Sequence, residues 1–555
     1  LGQSETPHLV LMADAFLRGQ FFVRAEALEE LDRRCREQTL RPRFDEQVRR
    51  YRLPLTEEQK AELLTRPRSP VQHDWSPVGE RYYGYWAPLP AVLLMPYVAV
   101  AGLEASDRWF TAVFGALSVL ATYLMLREAR RASLLRLSPA ACIGLVLLLG
   151  LGTVHFCYAS VAGVWFTTQI VAVFWLTSSV WLLLRSRGRM GWVAAAGAAL
   201  GAGVLSRSPV LLTLPFFLAV VWKAGSAGRA ARLACLLAPV LAAGCVQLAY
   251  NQARFGHVLN SGQGIQIESE SANPRFVEEY RRYGHLNVHY LPRNLYYYFL
   301  NPSLPVSRRT GVRTFDPEGN SVFLVTPAMI LALLSVRRRD WFTAALWLGG
   351  GTTLAALLLF RATGYFQFGN RYLLDLMPLL ILLVAVGMKG RTGLGTGLLI
   401  VLSIGVNAWG AHEFRREIQW RPALAAEPAL LLIERGQYGE GIEALRRQLD
   451  REPFDLWAAE NLAWALATCP EDGLRKGEEA VVLAKWVAGE KGHDEPRSLD
   501  TLAAAYAEAG DYQQAVEASR RALRLARERG FADLASGIEQ RSAMYEAGVP
   551  YREKR

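Results

Sequence analysis

Carboxylates in two polar stretches are the residues of this sequence best suited to acid–base chemistry. Glu5 lies in the short segment Ser4-Glu5-Thr6-Pro7-His8, and Asp74 precedes the segment Trp75 to Gly79, which Glu80 follows. A carboxylate within reach of a hydroxyl group can accept its proton during nucleophilic attack. Glu5 is therefore predicted to be a catalytic base, with Asp74 and Glu80 as the other candidates. A structural interpretation of Glu5 also stays open, because the dipole of a helix favours a carboxylate at its start.

Two arginines at the ends of apolar runs are of the type that binds phosphate. Arg207 lies in the stretch Leu205-Ser206-Arg207-Ser208-Pro209, and Arg371 precedes Tyr372 at the start of another run. A guanidinium group keeps its charge and offers two parallel hydrogen bonds to a phosphate. Because a charge at membrane depth is costly, both arginines are predicted to bind a phosphate group. The structural alternatives are a side chain that reaches the membrane surface and, for Arg371, an ion pair with Asp375.

Aromatic and amide side chains near these arginines are typical of a surface that receives a lipid head group and a sugar ring. They equally suit the aromatic belt of a membrane protein, and a lone histidine such as His155 is more often a packing residue. The residues predicted to contact substrate are His8, Tyr83, His155, Tyr250, Asn251, Gln367 and Asn370.

Several classes of chemistry have no motif in this sequence. It contains no HExxH, GxSxG or Walker motif. Four of the six cysteines lie in apolar runs and no CxxC pair occurs, so neither a disulfide framework nor a metal site is indicated. No cofactor is predicted, and nothing indicates a divalent cation.

Composition divides the chain of 555 residues into an apolar middle and charged flanks. Long runs with few charges fill residues 87–411, whereas residues 23–82 and 412–555 are rich in arginine and glutamate. This contrast indicates a membrane protein with water-exposed parts. The net charge of +11 comes from basic residues scattered between apolar runs. Because they form no single face, nucleic-acid binding is disfavoured.

The predicted fold class is all-α, with a polytopic membrane domain followed by a soluble helical repeat domain. A span needs about 20 apolar residues, so the segment 91–101, which contains Pro96, is predicted to be a re-entrant or partial helix. About ten spans are predicted, at residues 109–126, 138–155, 163–184, 190–206, 209–222, 232–251, 321–336, 341–360, 371–388 and 393–411.

Every second loop between these spans is rich in lysine and arginine. Examples are Arg127 to Arg136, Arg185 to Arg189 and Arg337 to Arg339. Such loops face the cytoplasm. The long loop 252–320, the other alternate loops, residues 1–106 and everything after residue 411 are then predicted to lie outside. The protein is predicted to reside in the plasma (inner) membrane, with its active face and repeat domain outside the cytoplasm.

Residues 424–548 contain a repeated turn. Gly510-Asp511-Tyr512 is followed by Ala515 and Ala522, and Gly436-Gln437-Tyr438 shows the same turn earlier. These offsets match the helix–turn–helix unit of tetratricopeptide repeats. Stacked repeats form concave binding surfaces, so a protein partner is predicted for this part of the chain. A plain helical bundle is the alternative.

The order of these features resembles the GT-C superfamily of polytopic glycosyltransferases. Relatives in that superfamily include protein O-mannosyltransferases and the aminoarabinose transferases of lipid A. The resemblance runs over about residues 1–411, and Glu5 takes the place of the family's acidic residue, usually an aspartate. Because members open with a membrane helix, such a helix is expected to precede this sequence. The matching stretches are Glu5-Thr6-Pro7-His8, Tyr83 to Pro96, Gly201 to Pro209, Tyr250 to Gly256 and Phe368 to Pro378.

The resemblance implies a sugar donor carried on a polyprenyl phosphate and transfer to an acceptor lipid, glycan or protein at the outer face. Glu5 would take the acceptor's proton, and Arg207 and Arg371 would hold the phosphate leaving group. The predicted domains are an outer segment (1–106), the membrane domain (107–411) and the repeat domain (424–548).

Two other function classes stay open, namely a transporter or flippase of lipid-linked glycans and a membrane scaffold that acts through its repeats. A transporter predicts internal repeats and polar residues at mid-membrane depth. The sequence identifies neither the sugar and the acceptor nor the oligomeric state.

Overall fold

The structure is a computed structural model of an α-helical chain. It describes residues 3–4, 6–35, 74–270, 274–302, 318–364, 367–389, 393–418, 429–430, 432–451, 456–490, 495–528 and 531–553. The predicted helical fold class is confirmed, with one two-stranded sheet in the described ranges.

Helices α1 to α18 and the two strands form the first part of the chain. They are α1 (His8–Leu17), α2 (Ala25–Cys35), β1 (Trp75–Val78), β2 (Arg81–Gly84), α3 (Leu89–Ala101), α4 (Asp107–Arg131), α5 (Pro139–Gly152), α6 (Val154–Val161), α7 (Val164–Ser186), α8 (Met190–Val204), α9 (Leu214–Lys223), α10 (Arg229–Phe255), α11 (Gln263–Glu270), α12 (Pro274–Tyr283), α13 (Leu291–Leu295), α14 (Val322–Val325), α15 (Ile330–Leu334), α16 (Trp341–Leu359), α17 (Met377–Gly387) and α18 (Leu394–Ile418).

Five of these helices are long and apolar enough to cross a membrane, namely α4, α7, α10, α16 and α18. Helices α5 and α6 meet at a bend of 50° and together would make a sixth span. The other four predicted spans are shorter or interrupted in the structure, so their crossing stays a prediction. The segment predicted as a span over 321–336 is broken into short helical pieces, because Pro327 has no N–H for a continuous helix.

Small residues let the membrane helices approach closely. Helix α8 packs between α7 and α10, and a Cβ at Gly197 would collide with the carbonyl oxygen of Leu236. Close backbone approach of this kind is a common way for helices to associate in lipid, where apolar surface gives no extra driving force. Helix α4 begins at Ser106, whose hydroxyl accepts a hydrogen bond from the N–H of Trp109.

A β-hairpin at residues 75–84 is a departure from the predicted aromatic interfacial stretch. Strands β1 and β2 are antiparallel with Trp75 opposite Gly84, and Gly79 takes φ +60° in the two-residue turn between them. Aromatic residues favour strands, and glycine supplies the positive φ that a tight hairpin needs. The N–H of Val23 donates to the carbonyl of Tyr82, which ties the hairpin to the N-terminal segment.

Six helices follow in the C-terminal part, each packed on the next. They are α19 (Tyr438–Arg451), α20 (Leu456–Thr468), α21 (Gly477–Glu490), α22 (Pro496–Glu508), α23 (Tyr512–Glu528) and α24 (Ala532–Glu546).

The two predicted turns in this part share one geometry. Gly436 and Gly510 both have positive φ, and the residue after each donates its N–H to the carbonyl five residues earlier, Gln437 to Leu432 and Asp511 to Tyr506. This is the hydrogen-bond pattern of a glycine-capped helix end. The turns therefore recur as expected, while their assignment to tetratricopeptide repeats stays a prediction.

Candidate active site

Arg207 and Asp375 form a buried ion pair where two apolar segments begin. Nε of Arg207 lies 2.6 Å from Oδ1 of Asp375, and Nη2 lies 2.8 Å from Oδ2. The Asp375 side chain is fully buried, and that of Arg207 is 18% exposed. The alternative in which Asp375 pairs with Arg371 is therefore wrong: the partner comes from 168 residues earlier in the chain.

Arg371 lies near the same aromatic ring as Arg207, that of Tyr372. The guanidinium carbons of Arg207 and Arg371 each lie 5.3 Å from the centre of the Tyr372 ring. Arg371 also faces the rings of Trp165 at 5.9 Å and Phe166 at 5.6 Å. Its Nε is buried with no hydrogen-bond partner, and no carboxylate among the described residues pairs with it. The two predicted phosphate-binding arginines are thus brought together, but only one of them has a counter-ion.

Arg361 joins the same cluster, although the sequence analysis did not select it. Burial lowers the pKa of Arg361, and the hydroxyls of Tyr372 and Tyr85 are close enough to oppose that effect. Its guanidinium carbon lies 5.9 Å from the ring centre of Tyr280. Its Nε is also buried without a partner in the part of the chain that the structure describes. An arginine stays charged even where burial disfavours the charge, so Arg361 adds a second uncompensated cation.

Amide side chains fix the loop that carries Arg361 and Arg371. Gln367 accepts the N–H of Arg371 at 3.0 Å and donates to the carbonyls of Thr363 and Glu318 at 3.0 and 2.9 Å. Asn370 donates to the carbonyl of Asn320 at 2.6 Å. These two predicted substrate-binding residues bind backbone, so the contacts seen here position the loop.

Asp74 lies at the edge of this cluster, directly before strand β1. Nε2 of Gln266 donates to its Oδ1 at 3.1 Å, and the Tyr85 hydroxyl approaches the same oxygen at 3.5 Å. Burial raises the pKa of Tyr85, the carboxylate of Asp74 raises it further, and Arg371 acts in the opposite direction. Tyr85 is therefore close enough to both Asp74 and Arg371 for their charges to act on its hydroxyl. Asp74 has φ +68°, a conformation that is uncommon outside glycine and that asparagine and aspartate tolerate best.

Tyr298 also belongs to this cluster. Its side chain is fully buried and its hydroxyl has no partner among the described residues. Burial raises the pKa of Tyr298 well above its ordinary value, Tyr372 and Asp375 add to that effect, and Arg207 and Arg371 oppose it. A buried hydroxyl aimed among two guanidinium groups is available to a ligand oxygen.

Tyr83, Tyr250 and Asn251 lie together at a second place, where helix α10 ends against the hairpin. Arg254 stacks on the Tyr250 ring at 3.7 Å, donates to Asn251 Oδ1 at 2.9 Å and reaches the carbonyl of Gly84. Tyr83 packs against Phe255 at 5.5 Å. These contacts fasten the hairpin, and through it Asp74, to the end of α10. A role in substrate binding stays a prediction for these three residues.

The two predicted histidines lie inside packed regions. His8 is fully buried and stacks on Trp75 with ring centres 4.6 Å apart. His155 is 1% exposed, and neither ring nitrogen has a partner in the described ranges. His155 lies at the bend between α5 and α6.

Glu5 lies outside the described residues, but its neighbours have defined places. The N–H of Ser4 donates to Asp107 Oδ1 at 2.7 Å, and the N–H of Val164 donates to the carbonyl of Thr6 at 3.2 Å. Val164 begins α7, and the next residue, Trp165, faces Arg371. Ser4 is therefore held at the start of α4, and Thr6 is held at the start of α7.

One signal in the sequence would have found Arg361. It lies at the outer end of the predicted span 341–360. A cation at that end departs from the positive-inside pattern, as Arg207 and Arg371 also do. Tyr85 and Tyr372 belong to stretches already singled out, whereas nothing in the sequence points to Gln266. Among the described residues, no group of histidine, cysteine or acidic side chains could hold a metal ion.

Comparisons with known proteins leave this site without a direct parallel. No family model matches the chain, and no curated protein matches it. Among solved structures, it is similar to the crystal structure of the Archaeoglobus fulgidus oligosaccharyltransferase in the apo form, at 14% sequence identity. The alignment covers 67% of this chain and 52% of that one, with a TM-score of 0.36. The chain thus spans about half the length of that protein, and a similarity at this level assigns it neither a fold nor a function.

Proposed function

We propose that this protein is a membrane glycosyltransferase that moves a sugar from a polyprenyl-phosphate donor to an acceptor at the outer face of the membrane. The observation that carries the proposal is the pair Arg371 and Arg361, the first buried and the second half-buried, which have no carboxylate partner in the described chain. Buried charges are normally paired. A cluster in which Asp375 cancels only Arg207 keeps two positive charges for an anionic ligand.

The two uncompensated arginines suit the phosphate of the donor. As the bond between the anomeric carbon and the phosphate oxygen breaks, negative charge grows on the phosphate. Guanidinium groups fixed before the reaction stabilise that charge more strongly in a site shielded from water. Arg207 would contribute less, because both arms of its guanidinium group already bind Asp375. It would instead hold Tyr372 and the start of the next helix in place.

A carboxylate beside the cluster would complete the reaction. The acceptor oxygen attacks the anomeric carbon, its proton passes to the carboxylate, and the polyprenyl phosphate leaves with the electron pair of the broken bond. Asp74 and Glu5 are the two candidates. Asp74 is supported by its contacts with Gln266 and Tyr85, and Tyr85 lies next to Arg371. Glu5 is supported by the anchoring of Ser4 and Thr6.

The remaining parts of the proposal concern partners and location. The helical C-terminal part would bind an acceptor protein, a glycan enzyme or another subunit through a stack of tetratricopeptide repeats. The order of motifs resembles GT-C glycosyltransferases, which supports an active face outside the cytoplasm of a plasma (inner) membrane. Sugar, acceptor and oligomeric state are left open.

Transfer of labelled sugar from polyprenyl-phosphate donors by the full-length protein in nanodiscs tests the proposal. Arg371→Gln and Arg361→Gln are expected to lower kcat by about 10²- to 10³-fold each, the usual loss when one stabilising donor is removed. Asp74→Asn and Glu5→Gln identify the base, because the variant of the true base loses the larger part of the activity.

Matched controls come from exposed residues on the same predicted side. Arg282 lies exposed on α12 and Glu268 lies exposed on α11, so Arg282→Gln and Glu268→Gln should keep wild-type activity. Full activity in Arg371→Gln and Arg361→Gln would contradict the proposal. Donor lipid that crosses the bilayer without sugar transfer would favour the flippase alternative instead.

A further inference from the structure

A second group of cations surrounds a cavity at the opposite end of the membrane helices. The cavity measures about 150 Å³ and lies where α7 and α9 end and α8 and α10 begin. The basic residues that line it are Arg187, Lys223 and Arg232. The loop charges predict that this end faces the cytoplasm. The cavity is thus separate from the candidate active site, which the same charges place outside.

The three cations of this cavity have no acidic partner among the residues that line it. Arg232 is 9% exposed, its Nε has no hydrogen-bond partner in the described part of the chain, and its Nη2 reaches the carbonyl of Gly225. Arg187 and Lys223 are exposed at the rim. The cavity therefore presents one buried and two exposed positive charges to whatever enters it.

Arginines elsewhere at the same end share a carboxylate. Glu128 is 5% exposed and lies 3.0 Å from Arg131, 3.7 Å from Arg185 and 3.8 Å from Arg127. The lining of the cavity, in contrast, contains three cations and no acidic side chain.

The inner wall of the cavity is apolar. Leu183, Leu184, Val193 and Val221 line it and are nearly fully buried. A free inorganic anion gains nothing from such a wall, whereas the glycerol and first methylene groups of a lipid would pack against it. The lining thus matches a ligand that is anionic at one end and apolar at the other.

Tryptophans at this end mark the depth of the lipid head groups. Arg229 stacks on Trp222 at 4.1 Å, and Arg185 stacks on Trp192 at 4.7 Å. Trp222 is 58% exposed on the outside of the bundle. Tryptophan is enriched where hydrocarbon meets head groups, so the cavity opens at the level of lipid phosphates.

We propose that this cavity binds the phosphate of an anionic phospholipid, with Arg187, Lys223 and Arg232 as its ligands. The head group enters between α7 and α10, and the acyl chains lie outside along the apolar surface beside Trp222. Basic pockets between membrane helices at the cytoplasmic side are suited to anionic lipid head groups. The proposed lipid site does not depend on the proposed sugar transfer, and it can be tested separately.

Lipid-dependent thermal unfolding of the full-length protein in detergent, with phosphatidylglycerol or phosphatidylcholine added, tests this site. Phosphatidylglycerol is expected to raise the Tm of the wild type more than phosphatidylcholine does. The double variant Arg187→Gln and Lys223→Gln should bind phosphatidylglycerol at least about tenfold more weakly, since each surface cation contributes to the attraction. Both residues are exposed, so their replacement leaves the packing around Arg232 in place.

Arg189→Gln is the matched control, because Arg189 is exposed in the same turn and does not line the cavity. It should keep wild-type affinity for phosphatidylglycerol. Equal stabilisation by the two lipids, or equal affinity in wild type and double variant, would overturn the proposal. Inorganic phosphate that stabilises the protein as well as phosphatidylglycerol would replace the lipid by a free anion and overturn it too.

Discussion

Arg541 in the C-terminal helices, whose side chain is 14% exposed, and the buried Arg371 in the membrane part meet different neighbours. Arg541 on α24 holds Asp500 on α22 through two hydrogen bonds of 3.1 and 2.6 Å. Arg475 likewise binds Glu508 at 2.9 Å. Arg371 meets three aromatic rings and no carboxylate among the described residues. The C-terminal part uses buried charge to join helices, whereas the membrane part leaves charge uncompensated.

This difference distinguishes paired arginines, which hold helices together, from unpaired arginines, which can bind an anionic ligand. Breaking a buried ion pair leaves one charge without its partner, so folding depends on both residues. An unpaired buried cation lowers stability in the folded protein and is retained where a ligand supplies the opposite charge. The two kinds of arginine should therefore respond in opposite ways to replacement by a neutral residue.

The largest expected effect is on the paired charge of the C-terminal part. Arg541→Met should lower the free energy of unfolding of that part by about 3–5 kcal/mol, because Asp500 stays buried without its counter-ion. Pulse proteolysis of the full-length protein in urea measures the loss. The double variant Asp500→Asn and Arg541→Met should recover much of it, and a single variant as stable as the wild type would remove the architectural role.

Acidic pH should reduce the loss of stability in Arg541→Met, and this pH dependence serves as an internal control. Burial raises the pKa of Asp500, and Arg541 opposes this effect, so in Arg541→Met the pKa rises further. A carboxyl group with a raised folded-state pKa adds stability below its unfolded pKa, and this contribution is lost as the pH rises through the folded pKa. The deficit of the variant should therefore shrink as the pH falls from 7 towards 4.

An intermediate effect is expected for the pair that lies inside the candidate site. Arg207→Lys keeps the positive charge beside Asp375 but loses the second hydrogen bond of the guanidinium fork. Loss of a hydrogen bond to a charged group should cost about 1.5–3 kcal/mol. Thermal unfolding in nanodiscs checks this value, and a stability gain would mean that Arg207 belongs with the uncompensated arginines.

The smallest effect on stability is expected for Arg371. Arg371→Gln removes an uncompensated cation, so the free energy of unfolding should stay within about 1 kcal/mol of the wild type or increase. The same nanodisc melts give the measurement without any substrate. Destabilisation as large as that of Arg541→Met would show that Arg371 has a structural partner and would end the contrast between the two parts.

The sequence was informative about helices and about which arginines depart from the pattern of loop charges. Long apolar periodic stretches such as 163–184 correspond to helices, here Val164–Ser186, because burial on all sides leaves little ambiguity. Arg207 and Arg371 were selected because they break the distribution of charge between loops, and the structure brings them to one ring. The same rule applied to Arg361 would have completed the set.

Pairing across long distances in the chain could not be read from the sequence. The nearest carboxylate to Arg371 in the sequence of its segment is Asp375, yet that carboxylate turns to Arg207. The hairpin at 75–84 was also missed, since its aromatic residues fit an interfacial belt as well as strands. Contacts such as the hydrogen bond from Gln266 to Asp74 depend on how separate elements pack. Local sequence patterns do not predict that packing.

The distance along the chain between Arg207 and Asp375 has a consequence for biosynthesis. The ribosome delivers Arg207 168 residues before the carboxylate that neutralises it. Throughout that interval the nascent protein carries an unmatched cation between two apolar segments, which the insertion machinery must keep at the water-exposed end of the helices. Chains that terminate before Asp375 never acquire the counter-ion, and this gives proteases that survey the membrane a chemical mark by which truncated products differ from finished ones.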